Sequence, residues 1–205
     1  TDAQTLADQT PKCPSSTTPI AGNTPVSTTA LQRGPKAVLA LLGDVGTPTM
    51  VRAAPIAVET GTVFFGAFTG AATVLRDTTC AACSKYIFNV RASYAQEARA
   101  TVELFKKKGV TDYTRMISFD QNDSYGQSGY DGLVQAYKDV VGAFPGNADP
   151  TNPIVRFRYT RNDDTSVPAQ AAAAEAYIAQ ILGSTSGTIT IGVMMTDTYG
   201  AGGDF

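Results

Sequence analysis

The chain has 205 residues, 43% of them hydrophobic and 17% charged, with a formal net charge of −2. That is enough apolar material for a sizeable core and gives no polybasic surface, so nucleic acid and anionic membrane are poor partners. With no His and three Cys, the chain lacks the usual general base and the commonest metal ligand, which speaks against Ser-His, Cys-His and zinc-hydrolase chemistry.

Residues 1–30 are rich in Thr, Pro, Ser and Gln without periodicity and read as an irregular lead-in, closing with a short helix near residues 28–33. From Ala37 the pattern becomes regular. Residues 37–42 form a continuous apolar run suited to a buried parallel strand, GDVGTPT (43–49) turns the chain, and residues 49–59 read as a helix. Residues 62–65 make a second strand, followed by AFTGA (67–71) and a short helix near residues 71–76. The pair Cys80 and Cys83 sits between a loop and a strand at 86–90, whereas a thioredoxin-like motif needs a strand before and a helix after it. A loop disulfide or inert thiols are the favoured reading, with Cys13 left odd.

The next stretch carries the firmest signals. Ser93 and Gln96 are spaced as a capping box, Tyr94, Ala98, Val102 and Phe105 recur at helical spacing, and Lys106, Lys107, Lys108 and Gly109 make the last turn and stop. Residues 115–119 read as a strand and residues 120–124 as a loop, with Ser124 and Gln127 marking the start of another helix. In residues 154–159, Ile154, Arg156 and Arg158 alternate with Val155, Phe157 and Tyr159, the signature of a strand near an edge with one solvated face. Pro168 starts a helix with Val167, Ala171, Ala174, Ile178 and Ile181 on one face, and residues 188–195 form a buried strand. No apolar run approaches the roughly 20 residues that span a bilayer, and no segment resembles a signal peptide, so an export signal or anchor is expected outside this sequence. The regular alternation predicts an α/β fold with mainly parallel strands.

Strand ends in such a fold are where ligands bind. GDVGTPT follows a strand and enters a helix, so backbone N–H groups and the Thr47 hydroxyl can hold a carboxylate at the helix N-terminus, or Thr47 beside Pro48 can simply cap the helix. The Gly-Lys-Ser/Thr ending of a phosphate loop is missing. Thr69 and Gly70 offer a hydroxyl and an N–H in a loop where Gly permits close approach, or form a plain turn. Tyr125 and Tyr199 are either ring contacts to a ligand or core-edge tyrosines. Asp123 and Asp197 are the acids placed to meet a ligand ammonium, Asp123 being the better N-cap. Asn122-Asp123-Ser124 is an N-glycosylation sequon, expected to be unoccupied or to point away from a ligand.

Four motifs, LLGDVGTPT (41–49), FFGAFTGA (64–71), NVRASY (89–94) and FDQNDSYGQSGYDG (119–132), resemble the type 1 periplasmic-binding-protein family, in its branched-chain amino-acid-binding branch. The resemblance implies two α/β lobes joined by hinge strands, closing on a small ligand without transforming it. On this chain it implies an irregular lead-in and partial lobe 1 in residues 1–91 and most of lobe 2 in residues 92–205, as the middle of a longer protein. Its opening strands have no counterpart before residue 24, and the return crossings to lobe 1 are absent. It further implies that Thr47, Thr69, Gly70, Tyr125 and Tyr199 contact the ligand, with no catalytic residue, metal or cofactor in this segment. The implied partners are a carboxylate-bearing small molecule and a membrane receptor or transporter, in an extracellular or periplasmic location; a homodimer is compatible.

Two contexts fit, the ectodomain of a membrane receptor, such as the receptor-type adenylate cyclases of kinetoplastid parasites, or the solute-binding protein of a bacterial ABC uptake transporter. The different-class alternatives are a doubly wound enzyme using Asp120 or Asp123 as base or metal ligand, and an interaction scaffold with no ligand.

Overall fold

Three short apolar runs in the first half of the chain lie side by side as parallel strands, β1 (Ala40–Leu42), β2 (Val63–Ala67) and β3 (Ile87–Asn89), in the order β1-β2-β3. The structure, a computed structural model, describes residues 35–71, 83–163, 165–184, 187–198 and 201–204. Outside them lie the lead-in, the helix expected near 28–33, nearly all of that near 71–76, Cys13, Cys80 and Tyr199; the side chain of Cys83 is likewise not described. The chain divides into two compact units, Thr1–Ser93 and Tyr94–Phe205.

In the first unit, Leu41, Phe64 and Ile87 form the row that faces helix α1 (Thr47–Thr60), where Met50, Ala54 and Ala57 complete a buried core. Gly61, in the left-handed conformation at φ 63°, ends α1 and turns the chain into β2. Because β2 begins only at Val63, residues 37–39 have no ladder partner, and β1 starts at Ala40 rather than at the expected Ala37. Alternation puts Leu42, Phe65 and Phe88 in register on the other face, where they are 78%, 53% and 43% exposed. One helical turn, α2 (Cys83–Tyr86), which the sequence did not announce, precedes β3.

The second unit is built around β4 (Met116–Gln121), every residue of which is buried, flanked in parallel by β5 (Val155–Tyr159) and β6 (Gly192–Thr196). Helices α3 (Tyr94–Lys107) and α4 (Ser124–Val140) bury Ala98, Val102, Leu133 and Tyr137 against Met116. On the opposite face Phe119 and Tyr159 stack at 5.4 Å and pack with Val167 of α5 (Ser166–Gly183). This two-sided burial is what a run of apolar residues in a parallel strand requires. Residues 188–191 fall short of the ladder because β4 starts at Met116, opposite Gly192. A four-residue helix, α6 (Ala201–Asp204), ends the described chain.

One expectation is corrected. β5 is an edge strand as foreseen, but its Arg face is not simply solvated. Arg156 and Arg158 turn onto Asp120, whose side chain is fully buried: Arg156 Nη2 lies 2.7 Å and Arg158 Nε 3.1 Å from Oδ1, and Arg156 Nε donates to Oδ2 at 3.1 Å. The Ser118 hydroxyl also donates to Oδ2. A carboxylate carried into the sheet core needs such partners, and the neighbouring strand supplies them in register.

Candidate functional site

Both sheets carry their polar loops at the C-terminal ends of the strands, the side on which open α/β sheets bind ligands. In the first unit, the loop after β1 and the loop after β2 extend the ladder past the strands. Gly43 N donates to Phe65 O at 2.9 Å, Phe68 N to Asp44 O at 3.0 Å and Gly46 N to Phe68 O at 3.2 Å. Gly46, at φ 103°, is the N-cap of α1 and offers no side chain, so Thr47 is the first helical residue and not the expected cap. Its hydroxyl points at the other loop and meets the Thr69 hydroxyl at 2.7 Å, with both residues buried. Thr69 is held in turn by Ala71 N on its hydroxyl at 3.3 Å and by Asn89 Nδ2 on its carbonyl at 3.0 Å.

Thr47, Thr69 and the buried Gly70 are therefore brought together on two adjoining loops. No acidic residue stands in the first turn of α1, which suits an anion there, and the nearest acid along the chain, Asp44, precedes the Gly46 N-cap by two residues. Sequence reasoning missed two neighbours. Asn89 orders Thr69, and the Arg91 guanidinium stands 5.2 Å from the Phe68 ring centroid on the second loop. Both lie inside the NVRASY motif, where only register across the parallel sheet would have pointed to them.

In the second unit, Asp123 rather than Ser124 caps α4. Its Oδ1 accepts from Tyr125 N at 2.8 Å and Gly126 N at 3.2 Å, and its Oδ2 accepts from Gln121 Nε2. That accounts for both oxygens and leaves Asp123 poorly placed to take a ligand ammonium. Asp120, the other acid proposed for chemistry at this strand end, is occupied by its two arginines and Ser118. Tyr125 is half-buried, its ring 5.4 Å from that of Tyr94, and its hydroxyl donates to Asp197 O at 3.0 Å. Burial pushes the Asp197 carboxyl above the usual carboxylate range, with the Gly202 N–H working in the opposite sense. Asn122 is exposed, its backbone N–H tied to Tyr159 O at 2.8 Å.

Close approach of α4 to the sheet depends on glycine. A Cβ on Gly126 would collide with the Gln121 carbonyl, and one on Gly129 with the Thr196 side chain. Among the described residues no group of three or more His, Cys, Asp or Glu is placed to hold a metal ion.

A family model described as periplasmic binding protein matches residues 22–196. Among solved structures, a possible leucine/isoleucine/valine-binding protein from Rhodopirellula baltica SH 1 is similar at 33% sequence identity with a TM-score of 0.58. The similarity covers 82% of this chain and 39% of that one, so the chain spans well under half of the relative's length. No curated protein matches the chain.

Proposed function

We propose, from the premise that the chain belongs to the periplasmic binding protein family, that it is a small-molecule-binding segment for an amino acid or related carboxylate, serving a membrane receptor or transporter from the periplasmic or extracellular side. The observation that carries this reading is the Thr47–Thr69 pair. Two buried hydroxyls are locked together at 2.7 Å on the loops after β1 and β2, beside a helix whose first turn carries no acid, an arrangement suited to a carboxylate. Thr47, Thr69 and Gly70 are assigned to the ligand in the first unit, Tyr125 and Tyr199 in the second. The family consists of binding proteins, and binding without chemistry is the role assigned to this segment. The description of the Rhodopirellula relative makes a branched-chain amino acid the first ligand to try.

The test is a thermal-shift and calorimetric titration with L-leucine, L-isoleucine, L-valine, the remaining amino acids and their 2-oxo counterparts. A ligand that binds only the folded chain raises its stability by about 2.7 kcal/mol at a hundred times Kd, and a concentration-dependent rise is expected. No shift across the panel would favour the scaffold reading. The receptor and transporter contexts separate on the gene, by whether a catalytic or membrane-spanning segment is encoded in the same polypeptide. Among the described residues no helix is long and apolar enough to cross a membrane.

A further inference from the structure

Gln121 is the last residue of β4 and is 1% exposed. A buried primary amide is stable only if its polar atoms find partners, and here the partners come from two different loops and from the end of β5. Oε1 accepts from the Thr198 hydroxyl at 2.7 Å and from the Tyr159 hydroxyl at 3.1 Å, which uses both lone pairs. Nε2 donates to Asp123 Oδ2. Thr198 N donates to the Tyr159 hydroxyl at 3.0 Å.

These bonds close on themselves. From Gln121 the path runs to Asp123, from the Asp123 carboxylate to the Tyr125 backbone N–H, from the Tyr125 hydroxyl to Asp197 O, across the peptide to Thr198, and from the Thr198 hydroxyl back to Gln121. We propose that Gln121 is a positioning residue, whose buried amide clamps the loop that starts α4 and carries Tyr125 to the loop after β6 that carries Asp197 and Thr198. The circuit stands without a ligand; its consequence, a binding rim ordered before the ligand arrives, rests on the function proposed above. An amide is the side chain that fits. It donates to a carboxylate on one side and accepts two hydroxyls on the other, whereas a carboxylate would face Asp123 and an apolar side chain would strand three polar groups.

The polarity of the clamp gives its test. Gln121→Glu sets two carboxylates against each other, and Asp123→Asn sets two amide NH2 groups against each other if the cap is to be kept. The double variant restores a donor facing an acceptor with the sense reversed, and Asn is as good an N-cap as Asp. In amide hydrogen exchange on the whole chain, each single substitution is expected to speed exchange at Tyr125, Gly126 and Thr198 by about tenfold or more, since hydrogen bonds to charged groups are worth over a kcal/mol. The core amides of Val102 and Leu133 should be unaffected, and the double variant should recover most of the protection.

Single variants that leave rim exchange unchanged, or a double variant no better protected than either single one, would overturn the proposal. If Gln121→Glu does not fold, Thr198→Val takes its place: it removes the hydroxyl that closes the circuit on Gln121 Oε1, and unchanged exchange at Tyr125 and Gly126 would be equally decisive. L-leucine affinity, measured in parallel, is expected to fall and recover with rim protection. Affinity that ignores a loosened rim would remove this rim from the binding site while leaving the circuit intact.

Discussion

The hydroxyls of Thr47 and Thr69, 22 residues apart in sequence, meet at 2.7 Å with both side chains out of water. One belongs to the first residue of α1 and the other to the turn after β2, so this bond adds a side-chain tie to the backbone bonds that already join the two loops. Thr47→Val keeps the shape and removes the hydroxyl, leaving Thr69 short of a partner. Urea unfolding should show a loss of about 1–3 kcal/mol, whereas the Thr47→Val/Thr69→Val double variant should cost less than the sum of the singles, because neither hydroxyl is then left facing a methyl group, even though Ala71 N loses its acceptor.

Asp120 joins two arginines of β5 inside the sheet. Asp120→Ala leaves two guanidinium groups facing each other without a counter-charge, Arg156 being only 10% exposed in its side chain and lying 3.9 Å from the Tyr130 ring centroid. The expected cost is about 3–5 kcal/mol by chemical denaturation, as for other broken buried pairs. Arg158→Ala should cost much less, since that side chain is 32% exposed and Arg156 still satisfies the carboxylate.

Glu59 contributes a pH dependence of unusual sign. Its Oε2 is closed off from solvent with no hydrogen-bond partner among the described residues, and burial raises the carboxyl from 4.5 to about 7. The folded chain therefore keeps a proton that the unfolded chain has released between those two values, so stability falls as pH rises from 4.5 to 7 and stays at the lower level above. Glu59→Gln should flatten this slope and stabilise the protein at pH 8 by about 1 kcal/mol, a figure well below the full shift because partial exposure screens the charge. Thermal melts of both forms at pH 5 and pH 8 check it; equal pH slopes would sink the assignment.

Gly126 admits no side chain, because a Cβ there would collide with the Gln121 backbone carbonyl. Gly126→Ala must push α4 off the sheet and should cost at least about 1–3 kcal/mol, the range for overpacked sites. Gly146→Ala, where a Cβ meets nothing within 4 Å, serves as the neutral comparison. Equal melting temperatures for the two variants would show that the helix can shift freely.

Most strands were legible as short apolar runs and β5 by the alternation of its arginines with Val155, Phe157 and Tyr159, and α3 because Tyr94, Ala98 and Val102 repeat at helical spacing and are all buried. The ends of strands were not. A strand runs only as far as its neighbour does, so β1 and β6 begin late and β4 continues to Gln121 because Tyr159 is there to pair with it. In the candidate site, the threonine loops could be found from hydroxyls and glycines in sequence, but not the 2.7 Å contact between Thr47 and Thr69, which depends on parallel register. The inward turn of Arg156 and Arg158 was hidden for a related reason. Alternation reveals which residues share a face, while whether that face meets water depends on a carboxylate 36 and 38 residues away.

Leu42, Phe65 and Phe88 lie in one row across the first sheet, with the two phenylalanine rings 6.3 Å apart and all three side chains open to water. For the purified protein this row is expected to govern colloidal behaviour. A net charge of −2 supplies little repulsion between molecules, so crowding in a concentrated sample favours sheet faces meeting one another. Ammonium sulfate should bring the protein out of solution early, since excluded salts strengthen the drive to hide apolar surface. A Phe65→Thr change, which puts a strand-favouring β-branched residue in its place, should raise the protein concentration at which light scattering first departs from that of a single species.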